Sequence, residues 1–368
     1  MKMMDRIIFA AGGTGGHIYP AIAVAEELKK INHNIKIKFI GTQNKIESSI
    51  IPNAGYDFET IDITGFKRNF SLKNIKTILK LLSAVKKSKY ILKEFNPDLV
   101  FAAGGYVSGP VIKAAQALKI TNVILEGNYY PGLTVKLAAK KTNMIILNFE
   151  DTKNFLPKNI NYAVFSYPVR MNLVKFDKLY ALKQFDLSPD KKTLFVFGGS
   201  QGAESINNAL INCIDDFIDA DLQIIWASGK NNFDFISSKI KPNQNIKLFS
   251  YIDKIDLAYS ASDLVISRAG ISAIMELAAF NLPSVLVPYP LASDNHQAKN
   301  ALALAKQNAA ICIEDNKLNS ELKNTVLNLI KDNSKLDLLR INIAKFGDSN
   351  SARKIADFLV QIVNNRKN

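Results

Sequence analysis

Gly12-Gly13-Thr14-Gly15-Gly16-His17 follows the apolar run 6–10, and Gly198-Gly199-Ser200-Gln201-Gly202-Ala203 follows the apolar run 193–197. An apolar strand that ends in such a turn and continues as a helix aims backbone N–H groups and a positive helix end at one point, which suits a phosphate. His17 closes the first turn at a helix N-terminus, where the positive dipole end favours the neutral imidazole. That ring can take a proton as a base or donate a hydrogen bond to an oxyanion, and the residue types leave both roles open. Neither loop carries the Gly-Lys-Ser/Thr of a Walker loop. The third glycine of a dinucleotide fingerprint would fall at Ile18, and the second strand ends Phe39-Ile40-Gly41-Thr42-Gln43 without the acid that would take a ribose hydroxyl.

Further along, Arg268-Ala269-Gly270 leads into Ile271-Ser272-Ala273-Ile274-Met275-Glu276. The first-turn N–H groups at 271–273 could cradle a diphosphate, and Glu276, on the second turn, could accept two hydrogen bonds from a ribose diol. Pro288-Tyr289-Pro290-Leu291-Ala292-Ser293-Asp294-Asn295-His296-Gln297, followed by Asn300, gathers neutral hydrogen-bonding groups of the kind sugar hydroxyls need. Gly104-Gly105-Tyr106-Val107-Ser108-Gly109-Pro110 and Glu126-Gly127-Asn128 are two more strand-end loops. The single Asp-x-Asp, Asp219-Ala220-Asp221, precedes a strand, at the edge away from these loops. A diphosphate here is therefore expected to be neutralised by helix ends and arginine, with no metal ion and no cofactor.

These loops need strands to present them. Strand patterns fall at 6–10, 36–40, 98–103, 122–126, 143–148 and 162–166, then at 193–198, 222–228, 246–249, 264–267, 284–288 and 309–313. Helical patterns lie between most of them, at 17–31, 72–94, 204–219, 271–280, 295–307 and 319–331. The alternation predicts an α/β protein with two Rossmann-like, doubly wound parallel sheets. Prolines 168 and 189 interrupt the pattern, giving domains over 1–166 and 167–349. The last helical segment, 350–364, follows no strand and is expected to pack back on the first domain. Ligands bind beyond the carboxyl ends of such strands, so two halves facing a central cleft are expected.

The chain has 368 residues, 48% of them hydrophobic and 22% charged, enough for two cores. No run approaches the ~18 apolar residues of a membrane span, and the first glycine turn arrives too early for a signal peptide. Cys213 and Cys312 form neither a disulfide framework nor a metal spacing, as expected in a reducing compartment. A net charge of +14 fits either solvated lysines spread over the surface or an anionic partner. Nucleic acid is not expected, since no zinc spacing, RNP signature or aromatic-interleaved basic stripe appears. An anionic membrane surface fits better. Leu72, Ile75, Ile78, Leu79, Leu82 and Val85 repeat at helical spacing among Lys73, Lys76, Lys80, Lys86, Lys87, Lys89 and Lys93, just after Phe66, Lys67, Arg68 and Phe70. Such a stripe serves either a core-facing helix with a basic outer face or an interfacial helix.

Taken in order, GGTGGH at 12–17, GGYVSGP at 104–110, PGLT at 131–134, PVR at 168–170, GGSQGA at 198–203, SRAG at 267–270 with Glu276, and DNHQ at 294–297 with Asn300 resemble the MurG family of bacterial glycosyltransferases. The resemblance spans nearly the whole chain. It implies a GT-B fold and inverting transfer of GlcNAc from UDP-GlcNAc to lipid I, giving lipid II at the cytoplasmic face of the cell membrane, where the enzyme is peripheral. By motif position, the second domain would hold the donor. Ile252 would face the uracil and Glu276 the ribose. Ser200 and the N–H groups along Ile271, Ser272, Ala273, Ile274 and Met275 would hold the nucleotide diphosphate, with Arg170 beside it. Gln297 and Asn128 would read the sugar hydroxyls. Thr14, Gly15 and Gly16 would face the acceptor diphosphate, and His17 would be the catalytic residue. The sequence departs from the family pattern at Gly127, where glutamine is usual, and at Ser166-Tyr167, where Gly-Asn is usual. Other enzymes of this fold, a diacylglycerol glycosyltransferase or a UDP-GlcNAc epimerase, are the alternatives.

Overall fold

A computed structural model describes residues 4–64, 73–170, 173–199 and 201–367. The chain divides into two compact units, Met1–Arg170 with Ser349–Asn368, and Met171–Asp348. In the first unit the strands are β1 (Arg6–Ala11), β2 (Lys36–Gly41), β3 (Asp57–Thr60), β4 (Leu99–Gly104), β5 (Thr121–Glu126), β6 (Met144–Leu147) and β7 (Tyr162–Val164). They form one sheet in the order β3-β2-β1-β4-β5-β6-β7, with every neighbouring pair parallel. In the second unit, β8 (Thr193–Phe197), β9 (Gln223–Ala227), β10 (Ile246–Phe249), β11 (Leu264–Arg268), β12 (Ser284–Val287) and β13 (Ile311–Cys312) pair in the order β10-β9-β8-β11-β12-β13, again all parallel. Each unit is thus the doubly wound sheet that the alternating pattern predicts.

Helices cover both faces of each sheet, so the central strands are buried throughout: every residue of β8 and all of β1 after Arg6. This explains why they read as continuous apolar runs without alternation. Strand order reverses between β1 and β4 and between β8 and β11, and ligands of such sheets bind at these switch points. The glycine loops after β1 and β8 therefore lie at the two switch points, beside the strand-end loops of β4 and β11.

The pattern missed β3. Asp57-Phe58-Glu59-Thr60 is a four-residue edge strand with two acids and no apolar run to announce it. The helix expected over 204–219 is two, Glu204–Ile211 and Ile214–Asp219, with Cys213 non-helical between them. The last helix, Ser351–Lys367, packs on the helix Gly15–Ile31. The Phe358 ring meets that of Phe165 at a tilt of 48°, with centroids 5.2 Å apart.

The helix Lys73–Phe95 divides the expected apolar stripe. Ala84, Ser88, Ile91 and Leu92 are buried and Val85 packs against the core, whereas Leu79 and Leu82 are 62% and 57% exposed. Leu72 and the upstream Phe66, Lys67, Arg68 and Phe70 lie outside the described residues. Among the described residues, no helix is long and apolar enough to cross a membrane.

Candidate functional site

In the first unit, β1 delivers Gly12 and Gly13 (φ +90°) to Thr14, the N-cap of the helix Gly15–Ile31. The His17 N–H bonds the Thr14 carbonyl at 3.1 Å. The β1–β4 register slips by one residue at Ala103: Ala10 pairs with Ala102, but Ala11 pairs with Gly104. The carbonyl of that extra residue accepts a hydrogen bond from His17 Nδ1 at 3.1 Å. Bulges of this kind re-aim a strand end locally. The loop after β4 then crosses so closely that two glycines are obligatory. A Cβ at Gly104 (φ +115°) would lie 2.3 Å from His17 Nδ1, and one at Gly105 would lie 2.1 Å from the Gly12 carbonyl oxygen.

Two buried carboxylates order these loops. Glu47 accepts from the Gly13 N–H at 3.1 Å, the Thr42 N–H at 3.2 Å and the Thr42 hydroxyl at 2.5 Å. No sequence motif marks Glu47: it opens a short helix, and only the chain's path brings it under the glycine turn. Glu126 accepts from the Asn128 N–H at 2.9 Å, its side-chain amide at 3.1 Å and the Gly132 N–H at 2.8 Å. Burial pushes the Glu126 carboxyl above its usual value, against the three donors that pull it down. Asn128 is thus placed by a carboxylate two residues back. Arg170 lies over the Tyr19 ring, 5.5 Å from its centroid.

The two departures from the family pattern are one contact. A Cβ at Gly127 would meet the Tyr167 ring at 2.5 Å. Asn148 ties the pair together: its amide donates to the Gly127 carbonyl at 3.2 Å, and its Oδ1 accepts from the Tyr167 N–H at 2.8 Å.

In the second unit, Gly198, Gly199 (φ +86°) and Gly202 (φ +80°) carry β8 into the helix Glu204–Ile211, and Ser200 lies outside the described residues. The helix Ile271–Ala279 starts after Gly270, whose carbonyl accepts from the Ile274 N–H at 3.0 Å. Ile271, Ser272 and Ala273 form its first turn and Met275 is buried on the following one. Glu276 is buried, and its Oε2 accepts from the Tyr259 hydroxyl at 2.9 Å. Tyr259 comes from the helix Ile255–Ala261, just past the loop that carries half-buried Ile252.

Arg268 is held within its own unit. Its guanidinium pairs with Asp315, takes the Ser205 hydroxyl at 2.8 Å and donates to the Val287 and Pro288 carbonyls at 3.4 and 3.3 Å. It braces the strand ends of β11 and β12. Gln297, in the first turn of the helix His296–Ala305, accepts from the Tyr289 N–H at 2.9 Å through Oε1. Asp294 and Asn295, both left-handed, make the sharp entry to that helix. Buried Asn300 reaches the Ala269 carbonyl at 3.4 Å, linking the sugar-type loop to the Arg268 loop. Among the described residues, no three His, Cys, Asp or Glu side chains converge as a metal site would require.

Two family models match: the glycosyltransferase family 28 N-terminal domain over residues 7–146 and the glycosyltransferase family 28 C-terminal domain over residues 193–357. A curated relative from Flavobacterium psychrophilum, named UDP-N-acetylglucosamine--N-acetylmuramyl-(pentapeptide) pyrophosphoryl-undecaprenol N-acetylglucosamine transferase, is 40% identical and covers 98% of this chain and 99% of its own. The chain belongs to the MurG family. A relative of the same name from Christiangramia forsetii is 38% identical over the full length of both chains. The crystal structure of Acinetobacter baumannii MurG matches with a TM-score of 0.80 over 97% of this chain and 99% of that one. At 24% identity, that likeness shows the fold. Members of this family are glycosyltransferases, and each sheet here carries its glycine loop at the switch point where a ligand of this fold binds.

Proposed function

We propose that this chain transfers N-acetylglucosamine from UDP-GlcNAc to the C4 hydroxyl of the muramoyl sugar of undecaprenyl-diphosphate-MurNAc-pentapeptide (lipid I), inverting the anomeric carbon and giving lipid II. The observation that carries the reading is full-length identity of 40% to a transferase named for that donor and acceptor. The second unit takes the donor. Glu276 receives the ribose hydroxyls, the turn Ile271–Ala273 and the Gly198–Ala203 loop hold the diphosphate, Ile252 meets the uracil, and Gln297 reads the sugar. The first unit takes the acceptor, whose diphosphate meets Thr14, Gly15 and Gly16, while Asn128 contacts the transferred sugar and Arg170 the nucleotide.

In the reaction the acceptor C4 oxygen forms a bond to the anomeric carbon as the bond to the UDP oxygen breaks on the opposite face. The hydroxyl proton passes to a base, and UDP leaves with the electron pair. Charge grows on the leaving diphosphate, so N–H donors already aimed there lower the barrier, each by about 2.7–4 kcal/mol. His17 is the base in this reading. Its Nδ1 donates to the Ala103 carbonyl, which leaves Nε2 of the neutral ring able to accept a proton.

The acceptor is a lipid, and the first unit has a surface suited to its membrane. Exposed Leu79 and Leu82, on Lys73–Phe95, and exposed Leu133 and Leu137, on or beside the helix Leu133–Ala138, flank the helix Ser108–Ala117. Exposed Lys86 and Lys87 lie on the first of these helices, and exposed Lys140 and Lys141 directly follow the second. Apolar contact plus basic charge supports peripheral binding at the anionic, cytoplasmic face of the cell membrane.

The test is turnover of radiolabelled UDP-GlcNAc with a short-chain lipid I analogue, expected to give a labelled disaccharide lipid. No transfer to that analogue, together with transfer to diacylglycerol, overturns the reading.

A further inference from the structure

Pro20 lies inside the helix Gly15–Ile31, one turn after Gly16. A helical residue there would donate its N–H to the Gly16 carbonyl; proline has none, and its ring crowds that carbonyl. The Tyr167 hydroxyl donates to the Gly16 oxygen instead, at 2.9 Å and from 151 residues away. Tyr167 is 2% exposed. Burial, reinforced by the Glu126 carboxylate, pushes its phenol well above the usual range, so it remains a donor at any working pH.

The Gly16 carbonyl and the His17 N–H share one rigid peptide plane. Tyr167 holds one end of that plane, and the Thr14 carbonyl, 3.1 Å from the His17 nitrogen, holds the other. The imidazole is fixed separately by the Ala103 carbonyl. We propose that Tyr167 is a positioning residue for the His17 turn, and that Gly127 is glycine because the Tyr167 ring fills the space its side chain would take. The ring reaches Gly16 only past the bare backbone of Gly127, where a Cβ would sit 2.5 and 2.6 Å from two ring carbons. Its backbone is anchored through Asn148 to that same Gly127, so tyrosine at 167 and glycine at 127 form one device.

The importance of the turn for acceptor chemistry rests on the proposed function; the positioning itself does not. Tyr167→Phe keeps the ring and removes only the donor. Gly127→Ala keeps the hydroxyl and pushes the ring off Gly16. In both variants we expect deuterium uptake at amides 13–17 to rise while the rest of the first unit stays protected. We also expect kcat with the lipid I analogue to fall about tenfold, about 1.4 kcal/mol in barrier, with the KM for UDP-GlcNAc unchanged. The two changes together should cost no more than the worse one alone, because both act through one hydrogen bond. Wild-type kcat and wild-type exchange in Tyr167→Phe overturn the proposal. A uniform loss of protection across the first unit also overturns it, since that marks a packing residue. If the unaltered enzyme transfers nothing to lipid I, the functional reading fails, and the exchange experiment still decides the positioning.

Discussion

His17 Nδ1 faces a carbonyl that can only accept, so the neutral ring carries its proton on Nδ1 and a lone pair on Nε2. That tautomer suits a base, whereas a phosphate ligand would need an Nε2 proton and a charged ring. Replacing His17 with alanine should lower kcat by about 10²- to 10⁴-fold, the usual contribution of a general base, while UDP affinity by calorimetry stays constant. If the acceptor KM rises and kcat holds, His17 is a phosphate ligand instead. Glu126 makes a different prediction. Its folded carboxyl holds a proton more tightly than the unfolded chain's does, so its contribution to stability is full below about pH 4.5 and is lost as pH rises through the folded value. Glu126→Gln cannot ionise and puts an amide against the Gly132 N–H, at a cost of about 1–3 kcal/mol. The stability gap between the two proteins, from urea midpoints, should therefore narrow as pH rises from 4.5; a gap that is flat or widens removes this account. Residue types in sequence pointed to His17 directly, because a glycine turn is local. Glu47, Glu126 and Tyr167, which hold that turn in place, were not legible as such, since each reaches it through the fold. Tyr167 was visible only as a break in a pattern.

Among the elements, the strands that build both switch points were readable because they are buried on both faces and so appear as uninterrupted apolar runs. The short amphipathic pieces were not. Ile255–Ala261 is seven residues long, and the sequence does not announce it. Yet this helix supplies Tyr259, which is fully buried and fixes Glu276 across two elements. Arg268, at the end of β11, is likewise held from far along the chain, by Asp315 some fifty residues later. If Glu276 binds the ribose, its orientation depends on the Ile255–Ala261 helix staying docked. Tyr259→Phe should then raise the KM for UDP-GlcNAc about tenfold, in line with loss of a hydrogen bond to a charged group, and leave kcat with saturating donor near normal. Equal KM values in the two enzymes would separate Glu276 from the nucleotide.

For the whole chain, the charge of +14 becomes informative only when joined to where apolar side chains are left in solvent. A basic surface alone would bind any polyanion weakly. Leucines beside lysines on the first unit add an apolar term that vesicles supply and soluble polyanions do not. Each basic residue near an anionic surface contributes about 1 kcal/mol, within a Debye length. Replacing Lys86, Lys87 and Lys140 with glutamate should then lower partitioning onto phosphatidylglycerol vesicles by at least roughly 100-fold. Turnover of a water-soluble, short-chain acceptor should stay unchanged, because none of the three lies at the glycine loops. Replacing Leu133 and Leu137 with serine should weaken binding as well, and its effect should persist at high salt, where the lysine effect is screened. Undiminished sedimentation of both variants with the vesicles would mean that these side chains take no part in reaching the lipid.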